Sequence, residues 1–203
     1  MIVKVIKRGK MMRKKVDVKF AKVHPNAIIP SKRDEDMGFD IYACFDEDYI
    51  KIEPHETKLI PTGIASSCDP EYGFLVFERG STGSKGIARR CGVIDSGYRD
   101  EWFIGLTNTT TKTLYISKLS KEEIVEKIYN ASDINKSWDA IFGSVISIKD
   151  NLENNIFIYP YSKAIAQALL IPVPKANAKE ISYDELKTIK SERGLGKLGS
   201  SNK

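Results

Sequence analysis

The sequence predicts an all-β sandwich or barrel, on three observations. Short apolar or alternating runs recur at 49–52, 58–64 and 73–77, roughly ten residues apart. Pro54, Pro61, Pro70, Gly63 and Gly73 punctuate those runs and mark the turns between them. The chain has 203 residues, 41% of them hydrophobic, which suits one core, or one core with an embellishment.

Taken in order, residues 1–15 read as a basic extension. Residues 1–22 hold nine Lys/Arg against one Asp. Such an arm either neutralises nucleic-acid phosphates or is a solvated tail. Its first 19 positions lack aromatic residues for stacking on bases, which favours the tail and no nucleic-acid partner. Val16-Asp17-Val18-Lys19-Phe20 alternates as a half-buried strand does. Pro25 and Pro30 bracket a turn, and residues 31–37 form a polar loop. The stretch 38–43 is apolar except at Asp40, where a carboxylate faces water or needs partners.

Beyond the central strands, 102–108 reads as a strand, 109–113 as a polar hairpin turn and 114–116 as its return. Ser120 with Glu123 forms a capping box and Leu119 with Ile124 a staple, so a helix runs over 121–129. Trp138, Ile141 and Phe142 follow, then a strand signal at 145–148, a turn at 149–155 and a strand at 156–159. Leu169-Leu170-Ile171-Pro172 is a buried strand ending at a proline. A linker, 174–181, leads to a second capping box, Ser182 with Glu185, and a helix over 183–190. After Glu192 the Gly-, Ser- and Lys-rich tail cannot order by itself.

Two stretches carry chemistry. Arg79-Gly80-Ser81-Thr82-Gly83 turns a guanidinium, hydroxyls and backbone N–H groups toward one point, as a phosphate cradle does; taken alone, such a run is an ordinary turn. Its spacing is not that of a Walker A loop, which excludes a P-loop NTPase. Gly92-Val93-Ile94-Asp95 reads as a strand carrying a base, with Tyr98 three residues on. The apolar neighbours of Asp95 predict partial desolvation and a raised proton affinity; a turn aspartate before Ser96-Gly97 is the alternative. Cys44, Cys68 and Cys91 are odd in number without C-x-x-C, so they read as buried thiols. His24 and His55 lie in unrelated contexts, against a histidine-based site. No apolar run reaches membrane-spanning length and no signal-peptide core is present, which predicts a cytoplasmic protein with no membrane partner.

On these residues the chain resembles the trimeric dUTP diphosphatase (dUTPase) family, whose members carry five motifs in fixed order. They stand here as Gly38-Phe39-Asp40-Ile41-Tyr42-Ala43, residues 79–87, residues 92–101, Ala164-Ile165-Ala166-Gln167, and residues 193–201. The resemblance implies a jelly-roll-like β-barrel over 16–181, with a small inserted helix/hairpin lobe at 118–155, then a short helix and flexible phosphate-closing tail over 182–203. Phage-encoded members are similar in carrying an extra piece at this point, which in some binds a partner protein; here it is either such a site or a decoration.

The same resemblance implies hydrolysis of dUTP to dUMP and diphosphate with Mg²⁺, sparing DNA from uracil and supplying dUMP for thymidylate synthesis. Asp95 is then the general base. Arg79, Gly80, Ser81 and Thr82 contact phosphates, Gly92, Val93 and Ile94 the uracil, and Tyr98 the deoxyribose. Gln167 contacts phosphate and, with Asp40, the waters on Mg²⁺. Arg193 closes over the γ-phosphate, with Leu198, Gly199 and Ser200 in the closing tail. A homotrimer is implied, each site drawing on three subunits. The chain departs from the family at Gly80, Arg89 (usually asparagine), Gly97, Asp100, Lys197 and Leu198 (usually aromatic). The rivals are a dUTPase-fold regulator that grips a repressor through 118–155, and a dCTP deaminase, which needs a glutamate where Gly105 stands.

Overall fold

Alternating and β-branched runs form β1 (Val18–Lys22), β2 (Gly38–Ile41), β3 (Tyr49–Ile52), β4 (Thr57–Pro61), β5 (Ile64–Cys68), β6 (Tyr72–Phe77), β7 (Ile87–Arg90), β8 (Val93–Ile94), β9 (Phe103–Asn108), β10 (Thr113–Ser117), β11 (Ile156–Pro160) and β12 (Ala166–Pro172). The computed structural model describes residues 15–90, 92–131, 145–192 and 194. Residues 1–14 of the basic arm, Cys91, Trp138, Ile141, Phe142, Arg193, Leu198, Gly199 and Ser200 lie outside them. The chain divides after Val173. In the C-terminal unit the Ser182 hydroxyl accepts from Glu185 N and caps a helix, Tyr183–Thr188.

The strands form four small sheets, ordered β1-β5, β11-β10-β3, β2-β12-β6-β8 and β4-β9-β7. Their inner faces meet in one core. Trp102, Phe74, Ile41, Ile52, Ile60 and Leu106 are each no more than 1% exposed. Phe74 and Phe20 pack edge-on against Trp102, with ring centroids 5.1 and 5.9 Å away. Burying each such side chain stabilises the fold by about 1.5–3 kcal/mol. Cys44 is buried here and its thiol touches His24 Nδ1 at 3.2 Å. Burial pushes that thiol up from its ordinary range, so it stays protonated and unreactive.

Three expectations give way. The run 58–64 is two strands, because Gly63 adopts φ +66 and turns the chain between β4 and β5. The expected β9–β10 hairpin does not form: β9 pairs with β4 and β7, while β10 pairs with β3 and β11. Asn108, fully buried, dictates this. Its amide nitrogen donates to Ile52 O at 3.0 Å and Lys112 O at 2.7 Å, and its oxygen accepts from Thr110 N and Oγ1. That network ties the turn to β3 and aims the chain into another sheet.

The third concerns the lobe. α1 is the single turn Gly80–Gly83, and α2 (Lys121–Ala131) starts as expected, Ser120 N bonding Glu123 Oε2 at 2.7 Å and Glu123 N bonding Ser120 Oγ at 3.2 Å. Residues 145–148, expected as a strand, and 149–155, expected as a turn, together form α3 (Val145–Asn155). Short apolar runs do not separate the two periods, and helix won because Leu152 packs on the Ile124 and Val125 face of α2. The topology requires this lobe. β10 and β11 are parallel, and parallel neighbours need a crossover of a dozen or more residues, which α2 and α3 supply.

Replacing Asn108 with alanine leaves the buried Ile52 carbonyl without its donor and unties Thr110 and Lys112, so Asn108→Ala is expected to lose about 3 kcal/mol in urea unfolding followed by Trp102 fluorescence. A loss below about 1 kcal/mol refutes the network's role.

Candidate active site

β12 lies between β2 and β6, and its register assembles the site. Gln167 stands opposite Asp40 on one side and Phe77 on the other. Opposed residues share one face of a sheet, so the Asp40 carboxylate, the Gln167 amide and the chain leaving β6 meet. Gln167 Nε2 donates to Glu78 O at 2.8 Å. One residue on, Arg79 folds back over Asp40: Nε lies 2.9 Å from Oδ1 and Nη2 3.2 Å from Oδ2, a fork-on-carboxylate pair. Gly38 leaves room for this, since a Cβ there would stand 3.2 Å from the Gln167 side chain.

The guanidinium turn is built from within. Thr82 Oγ1 accepts from Arg79 N at 3.0 Å and donates to Arg79 O at 2.9 Å, and Thr82 N also donates to that carbonyl. Thr82 is buried. It therefore shapes the turn, and its backbone N–H, expected on phosphate, is already used. Gly80 and Ser81 carry the first N–H groups of α1, which the helical ladder leaves free. With Asp40, Arg79 and Gln167 they line a cleft of about 680 Å³.

Sequence reasoning missed the cleft's other wall. Lys32, Arg33 and Asp36, read only as a polar loop, line it too. Arg33 grips Asp36 through Nε and Nη2, both at 2.9 Å, and Asp40 N donates to Ser31 O at 3.0 Å. The available signal was the dense charge at 31–36 just before the first motif.

Asp95 and Tyr98 lie elsewhere. β8 runs antiparallel to β6, with Ile94 opposite Phe74 and Val93 opposite Leu75. Asp95 thus leaves the sheet beside Gly73, whereas Arg79 follows the far end of β6. Six extended residues, roughly 20 Å, part them within one chain. Asp95 is also exposed, so the predicted desolvation is not present in the single chain. Tyr98 is 40% exposed and its hydroxyl donates to Glu101 O at 2.9 Å. Glu101 in turn straps this loop to the barrel, its Oε1 accepting from Thr62 N at 3.1 Å and Gly63 N at 2.6 Å.

β7 and β8 are consecutive, yet they are edge strands of different sheets and do not pair with each other. Gly92 bonds β6 through Val76 N at 2.7 Å. Among the described residues the outer edge of β8 carries no ladder, so the backbone N–H and carbonyl of Val93 point outward, while those of Ile94 face Phe74 of β6. The Glu78 carboxylate accepts from Arg89 N at 2.9 Å. Burial works to raise the Glu78 carboxyl, but backbone N–H groups and the Arg89 and Arg90 charges outweigh it and hold it below its usual range. Gly105 closes off the deaminase alternative: a side chain there would meet Arg90 O at 2.9 Å.

A family model for dUTPase matches residues 24–121, which hold the first three motifs. The deoxyuridine 5'-triphosphate nucleotidohydrolase of Laribacter hongkongensis is 31% identical over 110 residues, covering 52% of this chain and 70% of that protein. The chain belongs to the dUTPase family. The dUTPase-family enzyme of the same name from Helicobacter pylori is 29% identical over 123 residues, 58% of this chain and 83% of that protein. Among solved structures, a Staphylococcus bacteriophage 80alpha dUTPase mutant with dUpNHpp superposes with TM-score 0.61 at 21% identity, over 91% of this chain and 98% of that one. A mutant dUTPase from phage phi11 of S. aureus, described with a structural Mg(II) ion, gives 0.54 at 21% identity, over 81% and 96%. These likenesses agree on the all-β jelly-roll-like fold of dUTPases.

Because Thr62 N and Gly63 N have the Glu101 carboxylate as acceptor, Glu101→Ala is expected to cost about 2–3 kcal/mol in chemical unfolding, and Glu101→Gln, which keeps an acceptor oxygen, about 1. Equal losses for the two would mean the strap is not what Glu101 provides.

Proposed function

We propose that this chain hydrolyses dUTP to dUMP and diphosphate. The observation that carries the reading is the convergence of Asp40, Arg79 and Gln167 on one cleft in a member of the dUTPase family. A water oxygen forms the new bond to the α-phosphorus, the bond to the bridging oxygen breaks, and its electron pair leaves with diphosphate. Asp95 takes the water's proton. Arg79 exchanges the Asp40 carboxylate for phosphate oxygens, with Ser81 Oγ and the Gly80 and Ser81 N–H groups beside it. Gln167, held by Glu78 O, turns its amide oxygen toward the cleft. Tyr98 packs against the sugar, and the outer edge of β8 at Gly92, Val93 and Ile94 takes the uracil. Limiting uracil in DNA and supplying dUMP follow from the reaction, and a cytoplasmic location suits it.

The donor set fits Mg²⁺. Among the described residues no three His, Cys, Asp or Glu side chains cluster as a metal cage. A half-exposed Asp40 beside Gln167 instead suits an ion that keeps its waters and binds through substrate phosphates. When bound, Mg²⁺ supplies neutralisation of the triphosphate charge.

The separation of Asp95 from Arg79 supports a homotrimer in which Asp95 and Tyr98 of one subunit meet the Arg79 cleft of a neighbour. Arg193, with Leu198, Gly199 and Ser200, closes the tail over the γ-phosphate. A second reading concerns the lobe. Its apolar cluster of Tyr115, Ile124, Val125 and Ile156 is separate from the barrel's main cluster, and the exposed side chains of α2 are then the surface a protein partner would meet. Replacing 118–155 by a linker that spans the gap abolishes partner capture on that reading; unchanged capture removes it.

Asp95→Asn is expected to lower kcat by about 10²–10⁴-fold while dUTP still binds; wild-type turnover means another base. Mixed with Arg79→Ala chains after denaturation and refolding, it recovers activity, because random assortment makes about a quarter of shared sites whole. No recovery refutes a site built between subunits. A chain ending at Glu192 keeps its melting temperature and loses turnover, measured as diphosphate release; full turnover excludes closure by the tail.

A further inference from the structure

A second cleft, of about 600 Å³, shares no lining residue with the one that holds Asp40 and Arg79. Ile156, Phe157 and Ile158 line it in unbroken succession. Successive strand residues point to opposite faces, so a cleft that meets three in a row follows the backbone edge rather than one face. That edge is open. β11 is the outermost strand of its sheet, and among the described residues it pairs only with β10. Tyr161 N donates to Ser117 O at 2.7 Å, which continues the parallel ladder. Counting back by twos, Tyr159 and Phe157 turn their N–H and carbonyl groups toward β10, and Ile158 turns both of its own outward. Among the described residues nothing bonds either group. Pro160, which has no N–H to offer, ends the edge two positions on, as prolines do on outer strands.

The charge of this cleft is one-sided. Lys85, Lys112 and Lys121 line it, no Asp or Glu does, and none of the three lysines has a salt bridge among the described residues. The Lys85 ammonium is held over the Tyr159 ring, 5.9 Å from its centroid. The two ends of the chain do not suit such a place, since residues 1–14 and 193–203 carry Lys and Arg and no Asp or Glu.

We infer that the outer edge of β11 is a docking strand for an acidic, extended segment of a partner protein. The segment adds to the sheet as one more strand. Its backbone donates to Ile158 O and accepts from Ile158 N, and its carboxylates lie among the lysines. The backbone bonds supply the fit, and the charge steers the approach. Lysines along an edge also repel further copies of a chain with net charge +5, so the edge refuses its own kind and admits an acidic strand. The inference is independent of the hydrolase reading, and it differs from the lobe reading in using a strand edge rather than the exposed side chains of α2.

The test follows the fluorescence anisotropy of a labelled synthetic peptide alternating glutamate and valine, titrated with the full chain at low ionic strength. Two blocked forms are compared with it, one N-methylated at every glutamate and the other at every valine. Only one set of N–H groups faces β11, so one blocked form loses about tenfold in affinity while the other stays within about twofold. Lys85→Gln combined with Lys112→Gln weakens the unblocked peptide about tenfold. Lys112→Gln alone weakens it less, and carries the test if the double variant does not fold. Equal behaviour of the two blocked forms means attraction by charge alone and overturns the inference. Tighter binding of a single-stranded oligonucleotide overturns it as well. So does the absence of peptide binding, which leaves the lysines as guards of a bare edge.

Discussion

The placement of β12 between β2 and β6 is the constraint on which the rest of the site depends. A strand presents alternate residues to opposite faces, so a slip of one position would turn Gln167 away from Asp40. Register is held by burial on the inner face, where Ala166 and Ala168 are fully enclosed while Gln167 between them points outward. Once that row is fixed, Glu78 O has its donor and Arg79 has a carboxylate within reach. The apolar core thus sets the geometry of a polar cleft that none of its own side chains enters.

The Asp40–Arg79 pair is well formed but not strong. Its side chains are 34% and 32% exposed, and pairs this wet contribute at most about 1 kcal/mol. Weakness suits a resting arrangement. The guanidinium is held extended and aimed without being committed, and a triphosphate with several anionic oxygens displaces one carboxylate at little cost. Thr82, closed on Arg79 from beneath, keeps the turn in shape during that exchange.

Much of this was legible in the residues. Alternation found β3, and the Ser120–Glu123 box and its staple found the start of α2, because both are local signals. The cleft residues Asp40, Arg79, Ser81 and Gln167 were named before any geometry, and the fold brings them together. What escaped was decided at a distance. The Asn108 amide reaches β3 across the sequence, so the turn after β9 looked like a hairpin. The run at 145–148 took its helical form from packing on α2. Thr82 looked like a ligand because its inward bonds leave no mark in the sequence. The parting of Asp95 from Arg79 was hidden for another reason: a spacing along the chain says which strands are neighbours, not which ends of them are.

The parallel pairing of β10 with β11 limits how the lobe can change over evolutionary time. β11 runs directly into the segment that carries Gln167, tied by Tyr159 to Ala164 O at 2.7 Å and by Ile165 N to Ile41 O at 2.8 Å. The outer surface of α2 and α3 can drift freely, but the span from Ser117 back to Ile156 cannot. Any lengthening or loss there must return the chain to the same starting point, or the shift is handed down β11 to the amide at the cleft. Such a lobe can diversify in surface while its two anchor points stay put.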